Sequence, residues 1–282
     1  MKFYIVIPAH NEQDTIGLTL ESLASQSLLP KSVVVVNDNS TDETAKIISE
    51  YTSKYDWITS VEHVSSSAHL PGSKIINAFY KGYETLDEDY DVICKYDADL
   101  IFPNHYLESL AKHYNANLKL GMVAGHCTIK KNNEWIRESL TGKDHIRGAL
   151  KAYRKQCFID IGKLKPAMGW DTIDELLAAY YNWTFITDDT LEVKHLKPTG
   201  ISYNPESKQL QGEALYKLRF GFPLSVLAII KLAFKKKSIA FLKNSLWGYV
   251  LAGKNNSEFL VTAEQGKFIR KYRWSKIRKK LF

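Results

Sequence analysis

The stretch Asp91-Val-Ile-Cys-Lys-Tyr-Asp-Ala-Asp-Leu-Ile-Phe-Pro103 governs how this 282-residue chain reads. Val92 to Tyr96 has the look of a short buried strand, and it stops at two carboxylates, Asp97 and Asp99. A strand crossing a sheet interior stays apolar until it leaves the core, so acids at its C-terminal end fall where open α/β sheets bind ligands. Residues spaced by two share a side of a strand, so the two acids can face one site. Two hard oxygen donors suit a divalent cation that keeps other positions for water and a diphosphate. Taken alone, the pair reads more readily as a polar turn whose acids cap the loop before Pro103.

Working outward toward the N-terminus, Phe3 to Ile7 is a continuous apolar run typical of a central parallel strand. It ends in Pro8-Ala9-His10-Asn11-Glu12, and a helix follows with Ile16, Leu20 and Leu23 at helical spacing. Val33 to Val36 is a second strand, closed by Asn37-Asp38-Asn39-Ser40-Thr41-Asp42-Glu43 and a helix through Ile48. Two strand–loop–helix units in succession make a parallel sheet with right-handed crossovers the expected architecture. Trp57 to Val61 is a weaker third strand. The loop from Ser65 to Lys74 is rich in Ser and Gly and leads into a helix, so it is either an anion cradle at a helix N-terminus or a solvated turn.

Downstream lie a helix around Tyr106 to His113 and a strand near Met122 to Thr128. The polar stretch Lys130 to Arg147 reads as a flexible acceptor-side loop. Gly169-Trp-Asp-Thr-Ile-Asp-Glu175 opens a helix that Asp171 or Thr172 can cap, and acids in a first turn serve the helix dipole. Phe185 to Val193 is a strand, followed by the loop Lys194 to Gly200 with a histidine, His195, at the strand end.

Hydrophobic residues make up 45% of the chain and charged ones 24%, ordinary values for a globular protein with a sizeable core. The net charge is +7. Gly266 to Phe282 carries eight Lys/Arg and no acid, so this tail supplies the excess and the body is near neutral, against a broad nucleic-acid surface. Three scattered cysteines, Cys94, Cys127 and Cys157, form no metal spacing or disulfide framework and fit a reducing compartment. The N-terminus reads straight into a strand with no signal peptide, and no apolar run reaches the roughly 18–20 residues of a spanning helix. The expected location is cytoplasmic. Leu224 to Phe234 with Lys231, the run Lys235-Lys236-Lys237 and the basic tail suit a helical region at an anionic membrane surface, with Tyr272, Trp274 and Phe282 interleaved among the tail's cations. The alternative is a helix packed on the body with a solvated basic end.

With these residues laid out, the chain resembles the family 2 glycosyltransferases of the GT-A fold, from Phe3 to about Gly200. Ile-Val-Ile-Pro-Ala-His-Asn-Glu (5–12) is similar to that family's opening strand and loop. Val-Val-Val-Asn-Asp-Asn-Ser-Thr-Asp-Glu-Thr (34–44) is similar to its nucleotide loop, and Tyr-Asp-Ala-Asp (96–99) to its DxD metal motif. Gly169 to Glu175 stands where the family has its catalytic base, and Lys194 to Gly200 where several members place a metal-binding histidine.

The resemblance implies an α/β, GT-A (Rossmann-like), mostly parallel sheet flanked by helices over residues 1–205. Within it, 1–103 is the nucleotide half and 104–205 the acceptor half, with 206–282 a helical amphipathic extension. It implies Pro8, His10, Glu12, Asp38, Lys74 and Asp97 around a nucleotide-sugar, and Asp99 with His195 on Mn2+ or Mg2+, assisted by Asp97. It implies Asp174 as the base, by the spacing to Leu177, with Asp171 and Glu175 as runners-up.

Three departures are visible. Asn37 replaces a second Asp, Tyr180 or a neighbour stands where an arginine is common, and the Gln-x-x-Arg-Trp motif of processive synthases is missing. The expected activity is inverting transfer of one sugar from a nucleotide donor to a hydroxyl acceptor. Cell-surface polysaccharide or lipid-linked glycan assembly is the implied setting. The competing readings are a nucleotidyltransferase of similar fold, which would carry a Gly-rich loop after the first strand, and a non-catalytic membrane-surface module.

Overall fold

The computed structural model describes residues 1–65, 72–138, 145–197 and 209–281. Four strands, β1 (Phe3–Ala9), β2 (Ser32–Asp38), β3 (Ile58–His63) and β4 (Val92–Tyr96), pair in parallel in the order β3-β2-β1-β4. Every residue of β4 is buried, as its apolar run requires. Pro8 does not end β1, which continues through it to Ala9 opposite Asn37. Helices α1 (Ile16–Ala24), α2 (Thr44–Lys54) and α3 (Ser73–Tyr83) fill the crossovers, and Ile16, Leu20 and Leu23 are the buried stripe of α1. The mostly parallel, doubly covered sheet of the sequence reading is present.

The second half extends this sheet with mixed pairing. β5 (Leu100–Ile101), α4 (Tyr106–Ala116), β6 (Leu120–Lys131), β7 (Glu134–Arg137), β8 (Leu150–Arg154), α5 (Lys155–Asp160), α6 (Trp170–Tyr180) and β9 (Thr184–His195) follow in the chain. The sheet order runs on as β4-β8-β6-β9-β5, with β8 antiparallel to both β4 and β6. Part of the stretch expected to be a flexible polar loop is ordered. β6 and β7 form a hairpin whose two-residue turn, Asn132-Asn133, has φ of 51° and 64°, the left-handed conformation that Asn tolerates and that matches strand twist. Residues 139–144 lie outside the described set.

α1 does more than cover the sheet. Its buried polar face pins the turn after β4: Thr19 Oγ1 donates to Ala98 O (2.8 Å) and accepts from Leu100 N (3.0 Å), Ser22 Oγ accepts from Phe102 N (3.2 Å), and Gln26 Oε1 accepts from Leu107 N (3.0 Å). These bonds satisfy the loop's backbone as it leaves the sheet and hold Asp97 to Asp99 in one geometry.

The C-terminal region is helical: α7 (Leu210–Lys217), α8 (Phe222–Lys236), α9 (Ile239–Lys254) and α10 (Ala263–Leu281). α7 and α9 cross where Gly212 and Gly248 face the opposite backbone. A Cβ on Gly248 would lie 2.1 Å from Gln209 O, so only glycine allows this approach. α10 returns to pack on α6, with Ile269 fully buried and Phe268 5.4 Å from Tyr180. Tyr272 and Trp274, expected to face a membrane, pack against the body's core instead, and Phe282 lies outside the described residues. Among the described residues no helix is long and apolar enough to cross a bilayer. The boundary expected at residue 205 also falls outside them.

Candidate active site

Two loops at the C-terminal ends of β1 and β2 interlock. His10 Nδ1 lies 2.6 Å from Asp38 O, Asn11 N donates to Ser40 Oγ (3.0 Å), and Glu12 N donates to Thr44 Oγ1 (2.7 Å). The Asp38 carboxylate is buried at the end of β2 and accepts from Ser65 N at 2.8 Å. Asn37, where an acid was expected, donates through Nδ2 to Glu62 Oε2 at 2.8 Å. Ser65 leads to a cleft of about 470 Å³ whose lining includes His63, Ser73, Lys74 and Asn77. Lys74 therefore opens onto the same edge as Asp38, in the first turn of α3. The approach to α3 needs Gly72, which has φ +81° and whose added Cβ would meet Ala167 O at 2.5 Å. Residues 66–71 of the expected anion loop are outside the described set.

The acids after β4 converge with a histidine from the far side of the sheet. Leu100 pairs with His195 in the β5–β9 bridge, so His195 is the last residue of a strand and not part of a loop. Its Nε2 lies 3.3 Å from Asp99 Oδ2, and both side chains are buried. Asp97, Asp99 and His195 each offer a ligand atom within 4.8 Å of the others. A carboxylate pair with one imidazole is a donor set for Mn2+ or Mg2+, the nitrogen favouring the transition metal. Burial by itself lowers the His195 pKa, but Asp99 and Glu138 outweigh it and lift it to about 10. Lys197 ties this cluster to the nucleotide loops. Its N donates to Asp99 Oδ2 (3.2 Å) and its Nζ pairs with Glu12 Oε2 (2.7 Å).

Two fully buried lysines sit side by side, Lys95 on β4 opposite Lys151 on β8. Buried lysines persist only with partners. Lys95 pairs with Asp97, donates to Gly148 O (3.2 Å) and lies 5.3 Å from the Trp170 ring. Gly148 in turn backs onto Trp170 and Asp171. Lys95 thus links the metal-type acids to the start of α6. Lys151 pairs with Asp174 (3.0 Å) and Glu175 (3.1 Å) and donates to Asp171 O (2.7 Å).

These contacts rearrange the expected roles on α6. The helix begins at Trp170 behind Gly169, which adopts the left-handed conformation (φ 77°), so neither Asp171 nor Thr172 is its cap. Asp174, expected to be the base, has a side chain only 2% exposed; Lys151 and the Tyr153 hydroxyl (2.5 Å) occupy its oxygens. Burial pushes its pKa up, against the pull of Lys151. Glu175 accepts from Ile146 N (2.8 Å) and meets His145 Nδ1 at 3.0 Å. Asp171 is the acid of the three that reaches solvent, 31% exposed, with His145 Nε2 at 3.4 Å. Burial alone would raise its pKa, but the bond to His145 and the nearby cations hold it below the usual carboxylate value. His145 is lifted to about 9, because Asp171 and Glu175 outweigh its burial.

Sequence reasoning passed over Lys95, Lys151, His145, Glu138 and Lys197. Lys95 had a readable signal, since a charge within a five-residue apolar strand demands a partner.

Residues 4–164 match the model of Glycosyl transferase family 2, more than half the chain. The chain belongs to that family. Among curated proteins it is 38% identical over 101 residues to the "Probable glycosyltransferase YdaM" of Bacillus subtilis, covering 35% of this chain and 23% of that protein. It is 25% identical over 186 residues to the "Poly-beta-1,6-N-acetyl-D-glucosamine synthase" of Staphylococcus epidermidis, 59% of this chain and 41% of that one. The chain therefore spans well under half of these relatives.

Among solved structures, S. aureus TarS 1-349 in complex with UDP-GlcNAc superposes with a TM-score of 0.57 at 18% identity, covering 83% of this chain and 67% of that one. The mannosyltransferase PcManGT from Pyrobaculum calidifontis, in complex with GDP-Man and Mn2+, gives 0.56 at 14% identity, covering 98% and 80%. At such identities these likenesses establish the fold.

Proposed function

We propose that this chain is an inverting glycosyltransferase that moves one sugar from a nucleoside-diphosphate donor to an acceptor hydroxyl. The observation carrying this reading is the convergence of Asp97, Asp99 and His195 at the sheet edge, joined through Lys95 and Gly148 to the one solvent-reaching acid of α6. Pro8, His10, Glu12, Asp38 and Lys74 flank the nucleotide. Asp99 and His195 hold a divalent cation, Mn2+ or Mg2+, with Asp97 assisting. The chemistry such a cation supplies when bound is neutralisation of charge building on the departing diphosphate.

Asp171 replaces Asp174 as the proposed base. A proton acceptor must be ionised and reachable by the acceptor hydroxyl. Asp171 meets both conditions: its pKa is lowered and its side chain is partly exposed to solvent. Asp174 is out of reach, buried with its oxygens taken by Lys151 and Tyr153. Attack on the face opposite the diphosphate breaks the anomeric C–O bond to the donor, forms the new C–O bond with inversion, and leaves the hydroxyl proton on Asp171.

A lipid-linked or cell-surface glycan acceptor and a peripheral position on the inner face of the cell membrane complete the proposal. The support for the membrane comes from the corner between α8 and α9. Phe234 is 86% exposed and Ile239 73% exposed there, amid Lys235, Lys236, Lys237 and Lys243. Apolar side chains ringed by cations match an anionic interface.

The test is incubation with UDP- and GDP-sugars in Mn2+, following the nucleotide product. Release of nucleoside diphosphate, lost in Asp99→Ala, supports transfer. Release of sugar phosphate would make the chain a nucleotidyltransferase, and no turnover with any donor alongside tight liposome binding would favour a non-catalytic module.

A further inference from the structure

His195 stands in two groups of possible metal ligands, one with Asp97 and Asp99 and one with Cys127 and Glu138. Nε2 is directed at Asp99, whereas Nδ1 points the other way, with Glu138 Oε2 at 3.6 Å. The Glu138 carboxylate is 2% exposed, and Arg147 Nη2 grips the same oxygen at 2.9 Å. Glu138 lies just beyond β7, and its N donates to Cys127 O on β6 (2.9 Å), so its backbone is fixed to the sheet that carries His195. A carboxylate held this firmly, buried and aimed at a ring nitrogen, needs a purpose beyond solubility.

Elementary imidazole chemistry gives one. A histidine can ligate a cation through Nε2 only when that nitrogen carries no proton, so the ring's single proton must sit on Nδ1. A carboxylate beside Nδ1 accepts that N–H, selects the tautomer, fixes the ring's rotation and makes the ligating nitrogen more basic. At 3.6 Å the pair is an electrostatic contact just outside hydrogen-bond length. Arg147 on the same oxygen anchors the Glu138 carboxylate in place beside Nδ1.

We infer that Glu138, held by Arg147, is a positioning residue that sets the tautomer and orientation of His195 for binding a divalent cation. The inference rests on the proposed metal site, and the experiment separates the failure of one from the failure of the other. Mn2+ is titrated against the full chain, alone and with UDP or GDP present, and free Mn2+ is followed by electron paramagnetic resonance. Wild type should bind, and Glu138→Gln should weaken binding by roughly 10- to 100-fold. In a His195→Ala background the same substitution should change Mn2+ affinity no further.

No Mn2+ binding by wild type under any of these conditions would remove the metal site itself. Binding by wild type with equal affinity in Glu138→Gln would leave the metal site standing and overturn the role of Glu138. So would an equal loss with and without His195, because Glu138 would then act by another route. If circular dichroism shows Glu138→Gln unfolded, Glu138→Asp decides. It keeps a charge beside Arg147 but draws the carboxylate away from Nδ1, so weaker Mn2+ binding with a near-native melting temperature supports the inference, and unchanged affinity sinks it.

Discussion

At the scale of the residue, three acids within five positions on one helix have three different fates. Asp171 faces solvent, Asp174 is sealed between Lys151 and Tyr153, and Glu175 is held by Ile146 N and His145. Their substitutions should therefore separate cleanly. Asp171→Asn should lower turnover by about 10²- to 10⁴-fold, the usual worth of a general base, while leaving the melting temperature and donor affinity near wild type. Asp174→Asn should act mainly on stability, by about 1–3 kcal/mol, because it removes one charged partner of a fully buried lysine that keeps Glu175 and Asp171 O. Thermal unfolding and steady-state kinetics on the two variants check this, and a stable Asp174→Asn enzyme without activity would return the base to Asp174. The spacing to Leu177 pointed to Asp174, but spacing alone does not say which face of a helix a neighbouring strand covers.

Elements were legible in proportion to how far local pattern decides them. β1 and β2 read as apolar runs and β4 as an apolar run interrupted by Lys95, so the existence of all three was evident. β8, Leu-Lys-Ala-Tyr-Arg, was not read as a strand, since two of its five residues are charged. It is buried because α6 neutralises Lys151 and because Arg154 donates to Leu120 O, Tyr114 O and Asn117 O. Those partners are distant in sequence. The α7–α9 crossing was equally hidden, resting on the absence of two Cβ atoms. Gly248→Ala places a methyl 2.1 Å from Gln209 O, against backbone that cannot rotate away. It should destabilise the helical region by about 1–3 kcal/mol, as overpacking does. Differential scanning calorimetry would register this, and an unchanged melting profile would contradict the packing.

For the whole molecule, the question is which surface meets the outside. Basic and aromatic residues interleaved in the tail suggested a membrane contact there, yet α10 spends Phe268, Tyr272 and Trp274 on the body. Within the C-terminal helices the most exposed large apolar residues, Phe234 and Ile239, lie instead at the α8–α9 corner, with Trp247 further along α9. The full chain should sediment with vesicles containing phosphatidylglycerol and less with phosphatidylcholine alone, with binding falling as salt rises. Phe234→Ser with Ile239→Ser should reduce that binding at least tenfold without loss of donor turnover in solution. Unchanged sedimentation would remove the corner as the membrane contact.

The linear chain by itself determined the parallel core, the acids at its edge and the family resemblance. Each of these is written in contiguous runs whose burial or polarity follows from their own composition. Folding alone decided that His195 reaches Asp99 as the end of a strand and not from a loop, that two buried lysines couple the strand acids to α6, and that Asp171 is the carboxylate left partly open. Those outcomes depend on pairing between segments up to about a hundred residues apart, and a charge's environment is set by its neighbours in space.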